Sequence, residues 1–277
     1  MFRFLFRHVP AYSLAFLGTF TAGCYDRSPP TQPEVVTSQL IGLLRDPDPE
    51  VRRTAALSLG KIGRIEATRA LVGELTDTDS QVREASAWAL GNLGEEVTDL
   101  AGPALANLLW DSVADARATA ARALGQMRPS GALVAIILKA VHDSNPGTRL
   151  AGVQALGWLE SPVSFKTLIQ ALKDPDSRVR QAAVAALGEL GDVRAAPFLI
   201  ERLSSDREAG VRSEAVFRLG TLDGPAALQA LQAAIRDTDP RVRIWARAAV
   251  EFLLESQRVG DDRPGERTIS VRPTSQS

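Results

Sequence analysis

Asp174-Pro175-Asp176-Ser177-Arg178-Val179-Arg180-Gln181-Ala182-Ala183-Val184-Ala185-Ala186-Leu187-Gly188-Glu189-Leu190-Gly191 recurs, with variations, six more times in this chain of 277 residues. Its Arg falls at 52, 83, 117, 149, 180, 212 and 243, in steps of 31, 34, 32, 31, 32 and 31 residues. An Asp stands six residues before each one: Asp46, Asp77, Asp111, Asp143, Asp174, Asp206 and Asp237. A fixed period of this size is the mark of a solenoid, in which each unit buries its apolar face only against its neighbours.

Each unit reads as two helices. The first is short and apolar: 38–44, 67–75, 103–109, 133–141, 165–172, 197–203 and 226–235. A tight turn carrying the Asp follows, and then a longer helix carrying the Arg. Asp48-Pro49, Asn145-Pro146 and Asp239-Pro240 place a capping side chain before a Pro. Pro suits the first helical position because its missing N–H would be unpaired there. Asp79 and Asp176 fit the same slot. Gly63, Gly94 and Gly191 fall where the second helix should stop, and Pro129, Pro162 and Pro225 mark other breaks. In the fifth unit Val179, Ala183, Ala186, Leu187 and Leu190 recur with a helical period and should be buried. Gly60, Gly91, Gly125, Gly157, Gly188 and Gly220 recur inside the second helix. Gly there costs about 1 kcal/mol against Ala, so its recurrence implies close packing. The seventh unit has Glu251 at that position, as suits a terminal cap.

The pattern Asp-x-Asp-x-x-Val-Arg-x-x-Ala-x-x-Ala-Leu-Gly-x-Leu-Gly resembles the short HEAT-like repeats of the phycobilisome-lyase type. The resemblance covers residues 37 to 254 in seven copies. It implies an all-α fold: a right-handed, armadillo-like α-solenoid of seven HEAT-like helix pairs, with the second helices lining the concave side. It also implies that Arg and turn Asp pair within and between layers. A guanidinium meets a carboxylate through two parallel hydrogen bonds, so the seven Arg are assigned to structure and kept out of the binding site.

The two ends differ from this array. Arg3, Arg7 and His8 precede an apolar run from Val9 to Ala22, then Gly23-Cys24. The run is shorter than the roughly 20 residues of a membrane span and has the parts of a secretory signal. Thr21-Ala22-Gly23-Cys24 resembles a bacterial lipobox, which implies cleavage before an acylated Cys24 and attachment to a lipid bilayer. Thr21 departs from the usual Leu of that motif. An ordinary cleaved signal or an uncleaved anchor are the other readings of this segment. Tyr25 after the Cys, by the same resemblance, favours the periplasmic side of the outer membrane. Expected divisions are a signal at 1–23, a proline-rich tether at 24–36, the repeats at 37–255 and a disordered tail at 256–277.

The chain has 32 Lys and Arg, two of them in the first 23 residues, against 33 Asp and Glu, none of them there. The remainder therefore carries a balance of −3. This opposes a nucleic-acid partner, which needs a basic face. Cys24 is the one cysteine, so no internal disulfide forms. His8 and His142 are the two histidines. No Ser/His/Asp or Cys/His set can be assembled from them. Deoxyhypusine hydroxylase, which also resembles a HEAT solenoid, binds iron through His-Glu pairs that are absent here. The paired turn Asp residues lack the Gly and Glu of a calcium loop. No metal, cofactor or catalytic residue is assigned.

Surface recognition remains. Positions one and five after each Arg point away from the buried face: Arg53/Leu57, Glu84/Trp88, Ala118/Arg122, Leu150/Gln154, Gln181/Ala185, Ser213/Phe217 and Ile244/Ala248. These vary where structural positions repeat. Aromatic residues with a nearby Arg are typical interface anchors. Trp88, Arg122, Leu150, Gln154, Gln181 and Phe217 are the expected contacts for a protein or peptide on the concave face. Trp158 and Trp245 are expected to pack between layers. Trp110, just before a turn Asp, either stands exposed on the loop edge or folds over its neighbour. The expected role is a non-enzymatic interaction scaffold or assembly factor. A bilin-lyase-like subunit acting on a cofactor-bearing protein is the alternative, as is an intracellular regulator with an uncleaved N-terminal anchor.

Overall fold

The computed structural model describes residues 33–127, 130–159, 164–222 and 224–261, with side chains to 255. The signal, Cys24, residues 24–32 of the tether, Pro129, Pro162 and residues 262–277 lie outside the described residues. Fourteen α-helices and no strand are found among those described. They run α1 Pro33–Leu43, α2 Pro49–Ile62, α3 Thr68–Glu74, α4 Ser80–Leu93, α5 Thr98–Asn107, α6 Ala114–Leu124, α7 Gly131–Val141, α8 Pro146–Trp158, α9 Ser164–Ala171, α10 Ser177–Glu189, α11 Ala196–Ser205, α12 Ala209–Thr221, α13 Pro225–Ala234 and α14 Pro240–Asp261. Each odd-numbered helix packs on the even-numbered helix that follows it. Even-numbered helices of successive pairs touch along more of their length than odd-numbered ones do. This puts the even-numbered helices, α2 to α14, on the inside of the curve.

The turn between the helices of a pair is built by two side chains. The first Asp accepts the N–H two residues on: Asp48 N–H to Asp46, Asp79 to Asp77, Val113 to Asp111, Asn145 to Asp143, Asp176 to Asp174, Glu208 to Asp206 and Asp239 to Asp237. The second caps the helix, as Asp48, Asp79, Asn145, Asp176 and Asp239 do by accepting from the first helical N–H groups. Helix N-termini have donors without intrahelical partners, and these carboxylates and amides satisfy them. Gly63, Gly94 and Gly191 end α2, α4 and the α10 segment with φ of 71°, 71° and 64°.

Layers stack through Gly–Ala contacts. A Cβ placed on Gly60, Gly91, Gly157 or Gly220 would lie 2.7, 2.9, 2.5 or 3.1 Å from an atom of Ala89, Ala123, Ala186 or Ala249 in the next layer. Gly125 instead receives Trp158, and Gly188 the stem of Arg218. Val179, Ala183, Ala186 and Leu187 are buried as expected, while Leu190, at the helix end, is half-buried. Val184 joins the core, and so does Arg180.

Three boundaries differ from the sequence expectation. α1 begins at Pro33, so four residues assigned to the tether are helical, with Pro in the first-turn position it tolerates. α5 begins at Thr98 and contains Pro103. That Pro is exposed, and the bond it removes is to the carbonyl of Asp99, another exposed residue that water can reach. α14 continues past 255 to Asp261, six residues into the expected tail.

Candidate docking face on the second helices

An arginine–aspartate ladder holds this face in place. Arg52 donates Nε and Nη2 to Asp77 at 2.7 and 2.8 Å, and Nη1 to the carbonyls of Asp46 and Pro47 in its own turn. Arg83–Asp111, Arg149–Asp174, Arg180–Asp206 and Arg212–Asp237 repeat the arrangement, with forks of 2.6–2.9 Å. Each guanidinium thus ties its own turn to the turn of the next layer. The Arg52 bonds hold the Asp77 carboxyl down to about 2. Arg83 and Arg212 likewise hold Asp111 and Asp237 below the usual range. At Asp206 burial acts to raise the pKa, but the Arg180 fork and the Glu208 N–H outweigh it, and the carboxyl stays low. The ladder side chains are occupied, as the resemblance implied.

Two rungs depart from this. Arg243, in the last layer, binds only the carbonyls of Asp237 and Thr238 among the described residues. Arg117 binds the carbonyls of Asp111 and Ser112 and meets no carboxylate among the described residues. Its expected partner, Asp143, instead accepts the Trp110 indole N–H at 2.8 Å. The Lys139 ammonium lies 5.7 Å from the Trp110 ring centre. Of the two readings of Trp110, folding over its neighbour is the one observed.

None of the fourteen residues at positions one and five after the Arg is buried. Position four shows the contrast. Ala56, Ala87, Ala121, Val153, Val184 and Val216 are all buried there, facing the next layer, and Arg247 in the last layer is exposed. At both ends of the stack the positions that face a neighbouring layer carry polar residues. Thr54 and Ser58 stand at one end, at positions filled mostly by small buried residues in the inner layers, and Arg247 and Glu251 stand at the other.

The six expected contacts fall into two clusters and a middle. Trp88 on α4 and Arg122 on α6 line one cleft of about 280 Å³ with Arg53, Leu57, Gln81 and Glu84. They also line a smaller one of about 70 Å³ with Asn92 and Gln126. Arg53 is held by Glu50 at 2.6 Å, and Glu84 accepts from Thr119 at 3.3 Å. Arg122 is exposed and has no hydrogen-bond or ion-pair partner among the described residues. At the other end Phe217 on α12 is 49% exposed and meets Trp245 on α14 edge to face, centroids 6.3 Å apart. Ile244 beside them is 66% exposed. Arg218 lies 5.2 Å from the Phe217 ring and is already held by Glu214 and Glu189. Leu150 and Gln154 on α8 are half-buried and Gln181 on α10 is exposed; they lie between the clusters.

Trp245 was expected between layers and is 52% exposed beside Phe217 instead. Its position, two after the Arg, holds Thr54, Ala85, Thr119, Ala151, Ala182 and Glu214 in the other layers. An indole is larger than any of these side chains and emerges on the inner face. That one large residue in a series of smaller ones was the readable signal. Trp158 packs against Gly125 on one side and is 37% exposed on the other.

Among the described residues no cluster of three or more His, Cys, Asp and Glu could hold a metal ion. No described helix is long and apolar enough to cross a membrane.

Stacked helix pairs, an ion-pair ladder along the turns and an open inner face define an α-solenoid of the repeat class. The family model for HEAT repeats matches residues 37–125, 102–168, 134–220 and 196–259, and the chain belongs to that family. It is 35% identical over 114 residues to the phycocyanobilin lyase subunit alpha of Synechococcus elongatus, covering 38% of this chain and 42% of that protein. The chain therefore spans less than half the length of this relative. Among solved structures it is similar to the complex of CpcE and CpcF of phycocyanin lyase from Nostoc sp. PCC7120, with 22% identity, a TM-score of 0.49 and coverage of 85% of this chain and 100% of that one. It is also similar to human deoxyhypusine hydroxylase in complex with glycerol, with 25% identity, a TM-score of 0.41 and coverage of 79% and 84%.

Proposed function

We propose that this protein is a non-enzymatic scaffold that holds a protein partner along the inner face of its second helices. The observation that carries the reading is the exposed group Phe217, Ile244 and Trp245. Large apolar side chains stand together there, on a stack whose two end faces are polar. A merely solvated surface exposes such residues singly, whereas clustered aromatics mark contact sites. In this reading acylated Cys24 and the tether hang the solenoid from the bacterial envelope, with two or more acyl chains giving firm attachment.

The test is a pull-down from detergent-solubilised envelope with the processed protein, beside a Trp88→Ala/Phe217→Ala variant of unchanged circular dichroism. A partner captured by the first and lost by the second supports the scaffold. A partner retained by both moves the contact off the inner face and overturns the reading. Cys24→Ser should release or misprocess the protein; normal processing and membrane attachment of that variant would remove the lipid anchor.

The 35% identity to a phycocyanobilin lyase subunit favours one other reading, a subunit that acts on a cofactor-bearing protein. Added bilin whose absorbance spectrum changes on mixing with the purified protein would support it. An unchanged spectrum would count against it.

A further inference from the structure

The inner face is almost uncharged at the positions that define it. Of the fourteen residues one and five after the ladder Arg, three are charged: Arg53, Glu84 and Arg122. Two of these are already engaged, Arg53 by Glu50 and Glu84 by Thr119. Arg122 is exposed on the edge of the Trp88 cleft with no hydrogen-bond or ion-pair partner among the described residues. At the far end, Arg218 is taken up by Glu214 and Glu189, which leaves Phe217, Ile244 and Trp245 as an apolar contact. The unmet demand is therefore a negative charge at one end and apolar side chains at the other.

The spacing follows from the stack. Arg122 lies on the third layer, and Ile244 and Trp245 lie on the seventh. With helix layers about 8–10 Å apart, the two anchors are separated by about 32–40 Å. An extended polypeptide, at about 3.3 Å per residue, crosses that span in about 10–12 residues.

We infer that the occupant of this face is a two-part extended peptide segment. A carboxylate side chain pairs with Arg122 beside Trp88. Large apolar side chains about 12 residues away pack on Phe217, Ile244 and Trp245. This rests on the inner-face reading above and adds the chemistry and spacing of the partner.

Synthetic fluorescent peptides test it. Each carries an Asp-Glu-Asp block and a Leu-Trp-Leu block, in both orders, joined by 4, 12 or 20 prolines. Proline spacers are semi-rigid at about 3.1 Å per residue, so length selects span. Fluorescence anisotropy should show the 12-proline peptide, in one order, binding at least ten-fold tighter than either other length, because only it lets the two blocks bind together. Arg122→Glu, an exposed change, should remove the advantage of the acidic block over a Lys-Ser-Lys block. Phe217→Ala should remove the length dependence. Equal binding at all three lengths, no binding at all, or indifference to Arg122→Glu overturns the inference. The pull-down separates the two claims. A partner lost from the Trp88→Ala/Phe217→Ala variant keeps the scaffold reading even where the peptides show no dependence on length.

Discussion

Replacing Arg180 with Met should destabilise the protein much more than replacing Arg243 with Met. Both arginines bind the two carbonyls of their own turn. Arg180 also holds Asp206, whose side chain is 1% exposed, through bonds of 2.7 and 2.8 Å. Met retains most of the apolar stem, so the lost packing is similar in the two variants. Arg180→Met strands a carboxylate that keeps only the Glu208 N–H at 3.0 Å and a more distant Arg202 at 3.7 Å. Breaking a buried pair from one side costs about 3–5 kcal/mol. Arg243→Met strands nothing, and two partly exposed carbonyl bonds are worth about 1–2 kcal/mol together. The carbonyl bonds are lost in both variants, so guanidinium chloride unfolding followed by circular dichroism should show a difference of about 3–5 kcal/mol, the cost of the stranded carboxylate. If the stranded charge is the cause, Asp206→Asn in the Arg180→Met background restores part of the loss, because Asn still accepts the Glu208 N–H without a charge. Equal costs for the two single variants, or no recovery in the double, would refute the reasoning.

Acid should weaken the same ladder. Asp77, Asp111, Asp206 and Asp237 have folded pKa values below the usual range. Their contribution is complete above the unfolded value near 4 and is lost as pH falls through the folded values, near 2 for Asp77. The Asp77 shift alone corresponds to about 2 kcal/mol. Denaturation midpoints should be level from pH 7 to about 5 and fall steeply between 4 and 2; a level profile through that window would contradict the assignment. Gly157→Ala should cost about 1–3 kcal/mol, since its Cβ would lie 2.5 Å from the Ala186 Cβ. Gly42→Ala, with nothing within 4 Å of its Cβ, should instead gain about 0.5–1 kcal/mol in thermal unfolding. Ser86 is fully buried and its hydroxyl has no partner among the described residues, so Ser86→Ala should stabilise by about 1 kcal/mol; a loss would reveal a partner for that oxygen.

The fold was legible because its constraints are written seven times. An Asp that must accept an N–H two residues on recurs at every layer, and so does an Arg placed to bridge two turns, which does so in five of the seven. A Gly that must admit a side chain of the next layer recurs in six of them, and in four of those the side chain is Ala. Repetition separates these from chance. Arg117 and Asp143 show where that logic stops. Their spacing matches the other rungs, yet Trp110 takes the carboxylate, and no periodicity reveals which of two donors wins one acceptor. The starts of α1 and α5 were misplaced for a related reason, since Pro33 and Pro103 were not read as lying within a helix although each costs at most one bond to an exposed carbonyl. The inner face was legible only as a set of positions. Its residues have no internal copy to be compared with, so Trp245 was read by its slot instead of its size.

The polar ends explain why the exposed aromatics point to a partner on the inner face and not to further stacking. An eighth layer would bury Arg247 and Glu251 where every inner layer has Ala or Val and Gly. Glu251 would also stand where Gly lets the next Ala approach, and a buried unpaired charge costs more than the added contact returns. The stack is therefore closed by its own chemistry, and Phe217, Ile244 and Trp245 lie on the side that closure leaves open. Two separated anchors along that side also set how binding should fail. Each anchor raises the local concentration of the other's ligand block, so removing one weakens binding to the level of the remaining block, and removing both abolishes it. A single enclosed pocket would behave differently, because one truncation within it would remove most of the affinity.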